Sequence, residues 1–83
     1  MLIPNHVASL RRDLSDANRI LRTLRAEFKA AELAFYRAQW DMKKSAAAGK
    51  AREAYRMQIE AVDYLERQEA QAVDAWLNGE LVA

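Results

Sequence analysis

The sequence predicts an all-α protein folded as an antiparallel helical hairpin with a long first helix. Only two glycines and one proline occur among the 83 residues, whereas 17 residues are alanine, a composition that favours helix over strand. Apolar residues also recur at alternating steps of three and four, and a short alanine- and glycine-containing segment interrupts the charge pattern near the middle. We therefore expect one domain over residues 1–83.

The apolar repeat of helix one begins at Val7 and passes Ser15 and Asp16 without a change of phase. It continues through five heptads, and such a seam has to face another helix. Its members are Val7, Leu10, Leu14, Ala17, Leu21, Leu24, Phe28, Ala31, Phe35, Ala38 and Met42. We predict one helix over about 5–45; a second helix start at Ser15–Asp16 is the alternative, because both residues are good N-caps.

The turn is predicted over about 46–50, because Gly49 can adopt the left-handed conformation that closes a helix. One uninterrupted rod is the alternative, since the three alanines before Gly49 favour helix. Helix two is expected over about 51–78, ending at Asn78-Gly79, with a short C-terminal tail. Its apolar stripe is Tyr55, Ile59, Val62, Leu65, Val73, Trp76 and Leu77. Glu69 lies within that stripe, either as an edge residue or as a polar position that fixes register.

The charge distribution favours folding back. Residues 1–50 contain ten basic and five acidic residues, whereas residues 51–83 contain three and seven. Attraction between exposed charges contributes only about 0–1 kcal/mol per pair, but it biases which arrangement forms. An antiparallel hairpin brings the two oppositely charged arms together.

Unequal arms predict a dimer. With the turn near residue 47, the first turns of helix one extend beyond helix two and leave Val7, Leu10 and Leu14 uncovered. Exposing them would forgo about 1.5–3 kcal/mol each, so we expect a second copy to cover them in a four-helix bundle or coiled coil. The alternative is a monomer covered by its own tail, Leu81-Val82.

Candidate partner-binding residues lie on the face of helix one opposite the seam. Basic residues occupy its first part and large apolar residues its second part. The set is Arg19, Arg22, Lys29, Leu33, Tyr36 and Trp40. Aromatic residues and arginine are enriched among the residues that dominate protein interfaces, so we interpret this face as a contact site. Packing of the apolar part on helix two or on the other subunit is the alternative.

Catalysis, metals and cofactors find no support in the sequence. There is no cysteine, and the single histidine, His6, has no partner at a meaningful spacing. Asp63, Glu66 and Glu69 share a helix face, but no Glu-x-x-His motif accompanies them. No signal peptide or membrane-spanning run is visible, which predicts a cytoplasmic protein without membrane contacts.

Three function classes therefore remain. We favour a non-enzymatic protein-binding module, an inhibitor or adaptor that binds and blocks a larger protein through a helix face. The alternative is a small DNA-binding or transcription-regulatory accessory protein whose row Arg12, Arg19, Arg22, Arg25 and Lys29 contacts phosphates. A net charge of only +1 argues against nucleic acid. A structural subunit of a larger assembly is the third class.

The seam from Val7 to Met42, the turn at Ala46–Gly49 and the shorter acidic second helix resemble a known group of proteins. These are the small, cysteine-free helical hairpins that bacteriophages encode to block host factors such as transcriptional activators, pilus motor ATPases or defence complexes. The resemblance covers the architecture of the chain and assigns a role to no particular residue. It implies binding and inactivation of a protein in the host cytoplasm, without chemistry.

Overall fold

The computed structural model describes residues 3–38 and 41–79. Two α-helices account for nearly all of them, α1 over Asn5–Arg37 and α2 over Met42–Leu77, and the described residues form no strand. The helices pack along their whole length into a rod of 59 × 16 × 12 Å. The prediction of an all-helical hairpin is confirmed.

Three contacts between the helices show that they run antiparallel. Arg11 Nε donates to Glu69 Oε1 at 3.2 Å, and Gln58 Nε2 donates to the Ala17 carbonyl at 2.9 Å. Nearer the turn, the rings of Phe28 and Tyr55 stack with centroids 5.9 Å apart. From one contact to the next, the residue number in α1 rises while that of its partner in α2 falls.

The chain reverses one heptad earlier than predicted. Helix one ends at Arg37 rather than near 45, the connection lies at 38–41 rather than 46–50, and α2 begins at Met42 rather than near 51. The Asp41 carboxylate caps α2 by accepting from the backbone N–H of Lys43 at 2.9 Å and of Lys44 at 3.2 Å. This cap satisfies two N–H groups that a helix start leaves without a partner.

Residues 46–50, the predicted turn, are helical. Gly49 has no left-handed backbone conformation, whereas Gly79, at φ +77°, closes α2 just after Leu77 as the Asn78-Gly79 stop signal predicts. α1 is also continuous through Ser15–Asp16, where Asp16 pairs with Arg19 at 2.7 Å instead of capping a new helix. These helix bounds exclude both alternatives, a single uninterrupted helix through the whole chain and a second helix start at Ser15–Asp16.

The seam of α1 is confirmed as far as Ala38, but Met42 lies outside it with 82% of its surface exposed. The seam of α2 differs more from the prediction, because it includes two polar residues and excludes Ile59 and Leu77, which are exposed. It follows the same three–four spacing as α1. Its buried and half-buried members are Ala48, Ala51, Tyr55, Gln58, Val62, Leu65, Glu69, Ala72 and Trp76.

The early turn makes the arms nearly equal, at 33 and 36 residues, so the predicted overhang of helix one is wrong. Val7 is fully buried within the hairpin, and Leu10 and Leu14 are half-buried. Val7 therefore has no surface to offer a second copy. The Leu81-Val82 tail lies outside the described residues.

The core of the single hairpin is thin. Within the two described helices the buried apolar residues are Val7, Ala17, Val62 and Ala72, and two of these are alanines. Two packed helices bury one stripe of each and leave the flanks in water, so a single hairpin can form only a small core.

Candidate protein-binding site

The outer face of α1 consists of the residues opposite its seam. Two rows of heptad-spaced residues form it, because positions seven apart lie above one another on a helix packed at this spacing. They are Arg12, Arg19, Ala26 and Leu33 in one row and Ser15, Arg22, Lys29 and Tyr36 in the other. All eight side chains are exposed, so five of the six predicted partner-binding residues share one accessible surface. Trp40, the sixth, lies outside the described residues.

The first half of the outer face is basic. Arg22, Arg25 and Lys29 line a shallow hollow with Ala26, and Arg22 also borders a second hollow beside Glu69. Arg19 is neutralised by its ion pair with Asp16. The other cations have no ion-pair partner within residues 3–38 and 41–79. This positive potential is therefore available to an external anion.

The second half of the outer face is apolar. Leu33 is 48% exposed and Tyr36 is 68% exposed, and the Tyr36 ring tilts against Phe35 at 5.9 Å. Neither residue packs in the seam, so the hairpin itself does not use them as core. Their exposure places two large side chains with few degrees of freedom on an accessible helix face, next to the basic half.

A groove runs from Tyr36 across to the first turns of α2. Its wall combines aromatic and small residues with the polar side chains of Glu32, Ser45 and Arg52. Its lining comprises Phe28, Glu32, Phe35, Tyr36, Ser45, Ala48, Gly49 and Arg52. Gly49 contributes no side chain to the α2 side, and a Cβ added there would meet no atom within 4 Å.

The outer face of α2 differs in its electrostatics, because its charges pair with one another. Arg56 binds Glu53 at 2.5 Å and Glu60 at 2.8 Å, and Arg67 binds Asp63. The hydrogen bond from Arg56 holds the pKa of Glu53 below its ordinary value. Between residues 53 and 74 every basic residue of α2 is therefore paired, whereas Lys43, Lys44, Lys50 and Arg52 near its start have no ion-pair partner among the described residues.

The sequence prediction missed the groove, because it assigned Ala48 and Gly49 to a turn. The Asp41 cap was the available signal: an aspartate two and three residues before Lys43 and Lys44 marks a helix start. With α2 beginning at that point, Gly49 and Arg52 fall on the side of the helix that faces Glu32 and Tyr36.

Comparison of the chain with protein-family models, curated proteins and solved structures finds no match. No helix in the described part of the chain is both long and apolar enough to cross a membrane. Within the same residues, no group of three or more His, Asp or Glu side chains is placed to hold a metal ion.

Proposed function

We propose that the protein is a non-enzymatic binding module that docks on a larger protein through the outer face of α1. The observation that carries this proposal is the exposure of Leu33 and Tyr36 directly beyond a row of unpaired cations. An apolar anchor supplies affinity, and the adjacent cations steer and orient a partner of opposite charge.

The partner expected from this chemistry is a protein surface with an apolar pocket and a neighbouring acidic patch. Such a surface accepts a helix whose anchors lie three, four or seven residues apart. Leu33 and Tyr36 have this spacing, and Lys29 and Arg22 lie about one and three turns before Leu33. Occupying that surface would block it for other ligands. The role of a cytoplasmic inhibitor or adaptor, as in the phage-encoded hairpins, is the form of this function that we favour.

We also propose that the hairpin self-associates. Only four apolar residues of the two helices are buried in the described part of the chain, which is a small core for 83 residues. Several large apolar side chains away from the outer face of α1 are more than half exposed, among them Met57 and Tyr64. A second copy is the simplest way to cover them.

Affinity capture from the lysate of the native host tests the binding face. The bait carrying Leu33→Ala and Tyr36→Ala should lose a protein that the unaltered bait retains, because both anchors are removed. A bait with Met42→Ala and Leu77→Ala is the matched control, since these side chains are also exposed but lie at the ends of α2. Circular dichroism should show equal helicity for all three. Equal capture by both double variants would contradict the proposal.

Nucleic acid is a second candidate because Arg12, Arg22, Arg25 and Lys29 lie on one side of α1 and pair with no acidic residue in the part of the chain that the structure describes. Phosphate contacts weaken steeply as salt rises, whereas an apolar anchor loses little affinity. Capture that disappears after nuclease treatment or at moderate salt, and that survives loss of Leu33 and Tyr36, would favour this second function over the first.

A further inference from the structure

α2 carries a second stripe besides its seam, which we call the α2 flank. It repeats the three–four spacing without a charged residue over three heptads. Its members are Ala54, Met57, Ala61, Tyr64, Gln68, Gln71 and Ala75. Met57 is 59% exposed and Tyr64 is 61% exposed, so the hairpin leaves the larger side chains of this stripe in water.

The charges of α2 avoid the flank. Ionic residues between 52 and 74 occupy the remaining positions, where they form the intrahelical pairs Arg56–Glu53, Arg56–Glu60 and Arg67–Asp63. Glu69 lies in the seam and is therefore also off the flank. A solvated helix face gains nothing from excluding charge, whereas a buried face requires it, because an unpaired buried charge is costly.

The flank lies on the long side of the hairpin opposite the grooves. The grooves are lined by Asn18 and Glu32 of α1 and by Ser45 and Arg52 of α2. These residues border the two seams on the groove side of the hairpin. Residues two places further along each helix lie at the other edge of the seam. Ile20, which is 50% exposed, and Ala54 are such residues, so α1 contributes an apolar side chain beside the flank.

We propose that a second copy of the hairpin packs on the α2 flank, antiparallel and about a two-fold axis between Ala61 and Tyr64. This identifies the interface of the self-association proposed above and rests on it. In this register Ala61 faces Tyr64 of the partner subunit, and Ala54 faces Gln71 of the partner subunit. Tyr64 and Gln71 thus meet alanines, and Met57 meets the flexible, uncharged Gln68, so the contact interdigitates without a buried charge.

Charge complementarity at the rim selects the antiparallel direction. Glu60 and Arg67 border the flank on its solvent side, and the same register sets Glu60 opposite Arg67 of the partner subunit. A parallel pair would instead place the two Glu60 side chains on opposite edges of the contact, so that Glu60 would not meet Arg67 of the partner subunit. Arg67 already binds Asp63 on its own helix, so its guanidinium is held near the rim where it can bridge the two subunits.

Light scattering over a concentration series tests this interface with the purified chain alone. We expect a dimer whose dissociation constant rises at least about tenfold in Ala61→Lys, because two lysines per dimer would enter the apolar contact. Ala70→Lys is the matched control: Ala70 is equally an exposed alanine of α2, but it lies off the flank. Tyr64→Gln, which removes the ring without adding charge, should also weaken the dimer.

The direction is tested by exchanging the rim charges. Glu60→Arg alone and Arg67→Glu alone should each weaken the antiparallel dimer severalfold, and the double variant should recover it. A wild-type chain that stays monomeric, or Ala70→Lys and Ala61→Lys proteins that dissociate alike, would overturn the proposal. Ala61→Lys keeps the outer face of α1, so partner capture by this variant reports on the proposed function separately.

Discussion

Gly49 lies inside α2 with ordinary helical geometry, and a Cβ placed on it would meet no atom within 4 Å. Glycine in a helix interior costs about 0.5–1 kcal/mol relative to alanine, because the unfolded chain loses more freedom on folding. Gly49→Ala should therefore raise the free energy of unfolding by that amount, measured by urea denaturation.

Gly79 provides the contrast at the same scale, because its φ of +77° is a conformation that alanine adopts only with strain. Gly79→Ala should lower the free energy of unfolding by about 1 kcal/mol. If Gly49→Ala proved destabilising instead, the turn would belong near residue 49. The two glycines look alike in the sequence, and only the backbone assigns one to a helix and the other to its end.

At the scale of the helices, the sequence predicted α1 better than α2. The seam positions of α1 from Val7 to Ala38 are all apolar, so the seam and the helix start near Asn5 follow from spacing alone. The end of α1 does not follow from spacing, because the sequence of the connection at 38–41 contains no glycine or proline. Ala46, Ala47 and Ala48 favour helix whether they belong to α1 or to α2. Tertiary packing and the Asp41 cap therefore decide the position of the turn.

The α2 seam was harder to predict because Gln58 and Glu69 occupy positions where apolar residues are expected. Gln58 donates to the Ala17 carbonyl, and Glu69 accepts from Arg11, so both are satisfied only when α2 has its observed register. Hydrophobicity alone assigns the adjacent Ile59 to the seam, but Ile59 is 43% exposed. Polar seam residues of this kind fix alignment at some cost in stability.

Replacing both polar seam residues tests whether they fix the alignment of the two helices. Gln58→Leu with Glu69→Leu should raise the free energy of unfolding by about 1–2 kcal/mol, because each half-buried leucine contributes roughly half of its full burial energy. The register should become less specific, so light scattering should show more than one oligomeric species. A less stable variant with a single mass would show that the two contacts contribute stability rather than alignment.

For the whole molecule, the candidate site was predictable where it depends on helical spacing and not where it depends on the turn. Arg22, Lys29, Leu33 and Tyr36 lie exposed on one face because they lie opposite a seam that spacing reveals. The dimer contact predicted at Val7 is wrong, since the overhang of helix one required the later turn, whereas dimerisation itself stays a prediction. The charge contrast between the arms also weakens, because Lys43, Lys44 and Lys50 belong to α2.

The overall length of the dimer separates the two possible interfaces. Antiparallel packing on the α2 flank offsets the hairpins by about six residues, which adds roughly 9 Å at 1.5 Å per residue to the 59 Å rod. Small-angle scattering should therefore give a maximum dimension of about 70 Å, little more than one hairpin. Contact through the N-terminal end of α1 would join two rods end to end and give well over about 100 Å, because only the first turns would overlap. Ala61→Lys should return the profile to that of a single hairpin, whereas Ala70→Lys should leave the dimer profile unchanged.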